Sequence, residues 1–361
     1  MKIAQVAPLY ESCPPTLYGG TERVVAYLTE ELVRQGHDVT LFASGDSQTA
    51  ARLIAPVKRA LRLDPHISDP LAHHFIMFNQ VAKRAREFDV VHFHTDYLHF
   101  PMAGKLGRPS LTTLHGRLDL PALPAVYREF NQMPLISISD SQRLPLTWAN
   151  WADTVPHGIP GDLYPMGSGA GGYLAFIGRI SPEKRPDRAI EIAHRSGLPL
   201  KIAAKVDKVD QEYFDAVIRP LLDCKDAEFI GEISDAEKSA FLGNAAALLF
   251  PIDWPEPFGL AMIEAMANGT PVIGFRCGSV PEVIDDGLTG LIVDSVDEAV
   301  AAVPRALALD RAAVRDRFEE RFEVERMASD YLAVYRRLLT TNQPVRVGKE
   351  LQPVHGALSI A

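Results

Sequence analysis

The stretch PEPFGLAMIEAMANGTPVIGFRCGSVPEVI, residues 255–284, constrains this chain more than any other. The apolar run AAALLFPI before it reads as a buried strand, and PVIGF reads as another, so the segment runs strand, loop, helix, strand. A loop at the carboxyl end of a strand that opens a helix is where open α/β sheets bind ligands. Gly259 opens the helix, and the free backbone N–H groups of a helix N-terminus without a bulky side chain form an anion site. Glu256 before the helix and Glu264 inside it, eight positions apart, put a hydroxyl-gripping carboxylate on either side of that anion. Hydroxyl, phosphate and hydroxyl in a row describe a nucleotide-sugar.

Strand and helix alternate along the rest of the chain as well. KIAQVAP, DVTLFAS, DVVHFH, SLTTLHG and PLISIS are near-continuously apolar, which marks strands of a parallel sheet covered on both faces. A helix from Thr21 to Arg34 sets Val24, Val25, Leu28 and Leu32 on one face, and Gly36 stops it. The richest glycine stretch, GDLYPMGSGAGG at 161–172, reads as an interdomain linker. The alternation then restarts with YLAFIGR, LPLKIAAK, AEFIGE, ALLFPID and PVIGF. It predicts two doubly wound α/β domains of parallel strands, residues 1–165 and 166–322, with a cleft between them. EVERMASDYLAVYRRLLT is an amphipathic helix over 323–340, and the tail 341–361, with Pro344, Pro353 and Gly356, reads as poorly structured.

A chain of 361 residues is long enough for two full cores, and its net charge of −9 argues against nucleic-acid binding. Residues 1–165 carry 15 Lys+Arg against 16 Asp+Glu, and the remaining residues 22 against 30. Two small basic clusters sit in the near-neutral half, Lys58, Arg59, Arg62 and Lys83, Arg84, Arg86. They are either solvated helix faces or contacts to anionic lipid headgroups or a charged acceptor. MKIAQVAPLY lacks the apolar core of a signal peptide, and no apolar run approaches the roughly 20 residues that span a bilayer. Cys13, Cys224 and Cys277 are widely spaced, as in a reducing cytoplasm. A cytoplasmic location follows, with peripheral contact at the inner membrane face left open.

GRISPEKRPD, residues 178–187, follows the first strand of the second domain, so Arg179 and Lys184 flank a tight turn at its carboxyl end. Two cations there suit a diphosphate, which gains negative charge as a sugar–phosphate bond breaks. In the first domain, PPTLYGGTERVV is not the G-x-G-x-x-G fingerprint. Gly19 and Gly20 nevertheless precede a helix N-terminus, as turn residues or as a place for backbone to approach a phosphate. His92 and His94 share a strand face with His99 nearby, but no carboxylate or cysteine set completes a metal site. His92 reads as packing and His94 as lying near the cleft. No G-x-S-x-G, Walker or Asp-x-Asp motif occurs.

Residues 255–284 closely resemble the donor-binding signature of glycosyltransferase family 4, retaining enzymes that take a sugar from a nucleotide-sugar. GRISPEKRPD matches that family's arginine–lysine pair residue for residue, and the likeness covers roughly residues 2–340. It implies the two-Rossmann, GT-B architecture, with the last helix packing back across the cleft onto the first domain. It also implies that Glu264 holds the ribose hydroxyls and Glu256 a sugar hydroxyl. Phe258, Gly259 and Leu260 would lie along the donor, and Gly19 and Gly20 would face its diphosphate and sugar. The base would rest near Phe229 to Ser234, with Ile233 against it. His115, in an LHG context, would lie against the transferred sugar, hydrogen-bond a hydroxyl and support charge at the reacting carbon. His157 in VPHGI stands where many relatives carry asparagine, and reads as hinge-loop structure. Ala204 and Lys205 stand where many relatives show a glycine, which leaves Lys205 between a pocket and a surface role.

The implied catalytic set is His115, Arg179, Lys184 and Glu256. No metal or other cofactor is implied, because Arg179, Lys184 and the helix dipole at Gly259 would do a metal's electrostatic work. Double displacement would need a carboxylate nucleophile at the anomeric carbon. Both signature glutamates are assigned to hydroxyls, so same-face attack through a short-lived ion pair is the expected route. A UDP-sugar is the commonest donor in the family; the acceptor, a glycan, a lipid-linked sugar or a small molecule, is carried by loops that the fold does not determine. Two rivals stand: a nucleotide-sugar epimerase on a similar fold, for which no acid–base pair is identified, and a non-catalytic nucleotide-sugar binding protein.

Overall fold

Parallel pairing runs through every strand of the computed structural model, which describes residues 1–223 and 226–340. Cys224 and the 341–361 tail lie outside the described residues. The first sheet holds β1 (Lys2–Val6), β2 (Asp38–Phe42), β3 (Arg52–Ile54), β4 (Val90–Phe93), β5 (Ser110–Thr113), β6 (Leu135–Ser137) and β7 (Trp151–Thr154). Its strand order is β3-β2-β1-β4-β5-β6-β7. The second holds β8 (Leu174–Arg179), β9 (Leu200–Lys205), β10 (Ala227–Gly231), β11 (Ala247–Phe250), β12 (Val272–Phe275) and β13 (Gly290–Val293), in the order β10-β9-β8-β11-β12-β13.

Both sheets therefore reverse direction beside their first strand, between β1 and β4 and between β8 and β11. At such a switch point the flanking connections leave on opposite faces and open a crevice at the carboxyl ends. The central strands are buried along their length, as the unbroken apolar runs of β4 and β11 require. Sequence reasoning missed β3, β7 and β13, which are edge strands of three or four residues. So short a segment shows no period.

The helix Gly20–Arg34 buries Val24, Val25, Leu28 and Leu32, and Gly36, at φ +82°, turns the chain out of it. The last helix, Val324–Thr340, belongs to the first sheet's side of the molecule. Its Tyr331, Leu332, Tyr335 and Leu338 are buried, and the Tyr335 hydroxyl accepts a hydrogen bond from Gln5 of β1 at 3.1 Å. Where the chain first crosses between lobes, Ile159 pairs with Glu323, so the outgoing and returning segments run side by side.

The glycine-rich segment 161–172 joins the sheets as a packed strap and not as a loose linker. The N–H groups of Gly167, Gly169 and Gly171 donate to the carbonyls of Asn268, Gly243 and Asn244 at 2.9–3.0 Å. Arg311 caps two of the same carbonyls, Gly243 O at 3.1 Å and Asn268 O at 3.3 Å, and also donates to Gly167 O at 3.2 Å. A Cβ added to Gly167 would stand 2.1 Å from the Gly243 carbonyl oxygen, so glycine is needed here for close approach. Gly167→Ala should lower stability by roughly 1–3 kcal/mol, read as a shifted chemical-denaturation midpoint. Gly104→Ala, whose Cβ meets nothing within 4 Å, is the control. Equal midpoints for the two variants would return the segment to a loose linker.

Candidate active site in the interdomain cleft

The two crevices open into one cleft of about 640 Å³. The first domain contributes Gly19 and Gly20 after β1, Asp96 after β4 and His115 after β5. The second contributes Arg179 and Lys184 after β8, Lys205 after β9, Ile233 after β10, and Glu256, Phe258, Gly259, Leu260 and Glu264 after β11. Every residue singled out for the donor or for catalysis thus lines a single space, whereas the segment Phe229 to Ser234 does so only in part.

The helix Leu260–Ala267 starts at Gly259, which has φ +82° and no side-chain cap, so its first N–H groups are left without partners inside the helix. A Cβ at 259 would stand 2.7 Å from Met262 Cε and 3.0 Å from Phe250 Cζ. The loop carrying Glu256 is backed by the far end of the signature. Ser279 N–H donates to Glu256 O at 3.0 Å, Ser279 Oγ donates to Phe258 O at 2.8 Å, and a Cβ on Gly278 would stand 2.3 Å from Glu256 N. Opposite this helix, Gly20 faces Leu260: an added Cβ would meet Leu260 Cδ1 at 3.6 Å.

Each cation in the cleft has a carboxylate partner. Lys184 is ion-paired with Glu256, and its ammonium also lies 5.0 Å from the Trp254 ring centre. Arg179 lies between Asp210 at 3.5 Å, Glu183 at 3.6 Å and Asp207 at 3.9 Å. Glu264 is buried, with Lys238 Nζ at 2.8 Å and the Tyr164 hydroxyl donating at 3.3 Å. Burial, reinforced by the neighbouring Glu264, pushes the Tyr164 phenol up. Lys205 lines the cleft, 3.0 Å from Asp207 and above the Tyr18 ring at 5.7 Å, which settles its open position in favour of the pocket.

His94 and His115 line the first-domain side of the cleft, with His92 and His99 buried behind them. His115 Nε2 lies 2.9 Å from His94 Nδ1, and its own Nδ1 is buried without a protein partner. Burial pulls its pKa down to about 3, so the ring is neutral near pH 7. His92 bonds Tyr335 at 2.8 Å and Thr113 at 2.7 Å, and His99 bonds Thr95 at 3.2 Å and Thr112 at 2.9 Å. Among the described residues no cluster of three or more His, Cys, Asp or Glu is arranged to hold a metal ion.

Three placements correct or extend the sequence reading. His157 is not merely hinge-loop structure: its buried ring stacks on His115 at 5.2 Å and meets Phe258 edge-on at 4.9 Å, joining the two cleft walls. Within the segment 229–234, Phe229 turns away from the cleft to pack on Phe214 at 5.3 Å, and only Glu232 and Ile233 line it. Strand alternation at 229 and the bulge before Gly231 explain that split. Of the basic clusters, Arg59 and Arg84 pair with Asp64 and Glu87 at 3.2 and 3.1 Å, as solvated faces do, whereas Arg62 lines the cleft and pairs with the buried Glu11 at 2.9 Å.

Sequence reasoning missed Lys238, Asp96 and Arg117. Lys238 carried no motif, because its role comes from the start of the helix Asp235–Asn244 lying beside Glu264. Asp96 sits at φ +47°, a left-handed conformation unusual outside glycine, at the cleft rim. Arg117, two residues beyond His115, crosses the cleft to Glu183 at 2.6 Å.

Comparison with known proteins agrees with this geometry. Residues 170–323 match the family Glycosyl transferases group 1, and residues 18–155 match Glycosyltransferase Family 4. The chain is 26% identical to a glycogen synthase of Mycobacterium tuberculosis over 92% of its own length and 91% of the relative's. It is similar to the solved structure of AviGT4, a glycosyltransferase involved in avilamycin A biosynthesis, with a TM-score of 0.72 and 25% identity over 94% of this chain and 98% of that one. Anabaena HepE in complex with UDP shares the fold, with a TM-score of 0.72 and 16% identity over 93% of this chain and 100% of that one.

The buried histidines make stability depend on pH. Burial pulls His92, His94, His99, His115 and His157 down, so the folded rings stay neutral while the unfolded chain protonates them below about pH 6.5. The unfolded state then binds more protons, and stability falls as pH drops below that value. Each fully buried ring costs about 1.4 kcal/mol per pH unit. The carboxyls of Glu22 and Glu282, pushed up by burial, act in the opposite sense where they take protons. The denaturation midpoint should fall steeply between pH 7 and 5, and His99→Asn, outside the cleft, should make that slope shallower. An unchanged slope in the variant would contradict neutral burial of His99.

Proposed function

The chain belongs to glycosyltransferase family 4, and on that premise we propose that it transfers a hexose from a UDP-sugar to an acceptor hydroxyl, with retention and without a metal. The observation that carries this reading is the convergence of Lys184, Arg179 and the Leu260–Ala267 helix N-terminus on one cleft, flanked by Glu256 and Glu264 and faced by His115. The second domain would hold the donor and the first the acceptor. UDP is the donor class that the family resemblance favours, in keeping with the UDP of the Anabaena fold neighbour.

In this reading the diphosphate sits at the N–H groups of Leu260 and Ala261, where backbone dipoles favour negative charge. Lys184 exchanges Glu256 for a phosphate oxygen, and the released carboxylate accepts a sugar hydroxyl. Glu264, held by Lys238 and Tyr164, takes the ribose. As the bond from the anomeric carbon to phosphate breaks, its electron pair passes to the phosphate oxygen, next to Lys184 and Arg179. The acceptor hydroxyl attacks on the same face and gives its proton to that oxygen. Glu256 is not the covalent nucleophile in this reading, because its released carboxylate is taken up by a sugar hydroxyl.

Interactions that strengthen as charge develops raise turnover more than ground-state affinity. Lys184→Ala should therefore cut kcat by about a hundredfold or more, the loss typical of one such donor at ~2.7–4 kcal/mol, and change UDP affinity far less. Turnover should survive EDTA. Wild-type kcat in Lys184→Ala, or activity lost to EDTA and restored by magnesium, would overturn the assignment. UDP at about 100 times its dissociation constant should add roughly 2.7 kcal/mol of stability, and a larger shift with GDP or ADP would reassign the base.

A further inference from the structure

An unbroken line of hydrogen bonds runs from the last helix through the first domain to the cleft. His115 Nε2 lies 2.9 Å from His94 Nδ1, and His94 Nε2 lies 2.8 Å from Gln5 Oε1. Gln5 Nε2 donates to the Tyr335 hydroxyl at 3.1 Å, and that hydroxyl lies 2.8 Å from His92 Nδ1. His92 Nε2 meets Thr113 Oγ1 at 2.7 Å, and Thr113 meets the Tyr331 hydroxyl at 3.0 Å. Gln5, His92, Thr113, Tyr331 and Tyr335 are fully buried, so bulk water does not compete for these groups.

In such a line every link constrains the next. A neutral imidazole has one donor nitrogen and one acceptor, and a hydroxyl turns to suit its neighbours. An amide alone has two ends that differ in kind, so Gln5 sets the polarity. With Gln5 Oε1 toward His94, His94 Nε2 carries the proton and His94 Nδ1 is a lone pair. His115 Nε2–H then donates to it, and His115 Nδ1 is left bare. On the other side, the Tyr335 hydroxyl accepts from Gln5 and donates to His92 Nδ1, whose Nε2–H donates to Thr113. An inverted amide would reverse each bond and turn His115 Nδ1 into a donor.

We infer that Gln5, His94 and Tyr335 are positioning residues that hold His115 in the tautomer with a bare Nδ1, ready to accept a hydrogen bond from a hydroxyl of the transferred sugar. Two further observations fit. His115 Nδ1 is buried with no protein partner although its ring lines the cleft, and an unpaired buried polar atom calls for one. Stacking of His157 on His115 at 5.2 Å and 19° between planes fixes the ring orientation that the tautomer needs. The helix carrying Tyr335 thereby becomes part of the sugar site although it does not touch the cleft. This inference rests on the donor reading above for the identity of the hydroxyl, but not for the tautomer.

The test is NMR on the full chain labelled with 15N-histidine, without substrate, because protonated and bare ring nitrogens differ strongly in shift. The His115 signals, assigned by their loss in His115→Ala, should show a protonated Nε2 and a bare Nδ1. Gln5→Met keeps the volume and removes both polar ends. His115 should then lose its single tautomer, and kcat should fall roughly three- to tenfold, the worth of one neutral hydrogen bond, with UDP affinity within about twofold. Tyr335→Phe, which removes one hydroxyl, should move both readouts the same way and serves if Gln5→Met does not fold. A protonated Nδ1 in the wild type, or unchanged His115 signals in a folded variant, would overturn the inference. Failure of the donor reading would show differently, as a wild type that does not bind UDP while its tautomer signals stand.

Discussion

The two parallel sheets are wound in the same order, and each leaves a crevice at the carboxyl ends of its central strands. A single cleft forms only because these crevices are held face to face. Arg117 reaches Glu183 at 2.6 Å, Ser139 donates to the Pro257 carbonyl at 2.6 Å, and Glu282 accepts the N–H groups of Asp140 and Ser141 at 2.7 Å. Arg23 pairs with Asp235 across the same divide. The last helix returns to the first domain and lays Tyr331 and Tyr335 against β1, β4 and β5. Sheet connectivity supplies two half-sites, and these contacts join them into one.

The charges of that site are arranged in mutual compensation. Lys184 answers Glu256, Lys238 answers Glu264, and Arg179 and Lys205 share the carboxylates of Asp207, Asp210 and Glu183. In the proposed reading, the cations that would meet a diphosphate are held by carboxylates in its absence, which spares them part of the cost of an unpaired buried charge. Binding is then an exchange of partners, and the ground state gains only the difference. In the proposed reaction the transition state would gain more, because the leaving phosphate becomes more negative while the carboxylates do not. On that proposal the pairing would temper affinity and leave the greater stabilisation for the reacting state.

What the sequence revealed follows the range of the interactions involved. Local signals were legible: the glycine that opens the Leu260–Ala267 helix, the apolar runs of the central strands, and the turn carrying Arg179 and Lys184. The family resemblance placed Glu256, Glu264 and His115 on one cleft, which no local rule could do. Contacts made across the fold stayed hidden. Lys238 meets Glu264 only because two helices lie side by side, and Arg117 meets Glu183 only across the cleft. The packing of His157 on His115 depends on the path between lobes, and the close contacts of the linker at 161–172 stayed hidden because its glycines look alike whether they serve freedom or contact. Short edge strands carry too few residues for a period to show.

In the proposed reaction a donor sugar leaves its diphosphate and is attacked on the same face, with the protein's own cations stabilising the departing charge. The stereochemistry of the transfer product tests this most directly. With an α-linked UDP-sugar, the proton coupling at the anomeric position of the new glycoside, read by NMR, should show an α linkage. A β-linked product would contradict the account.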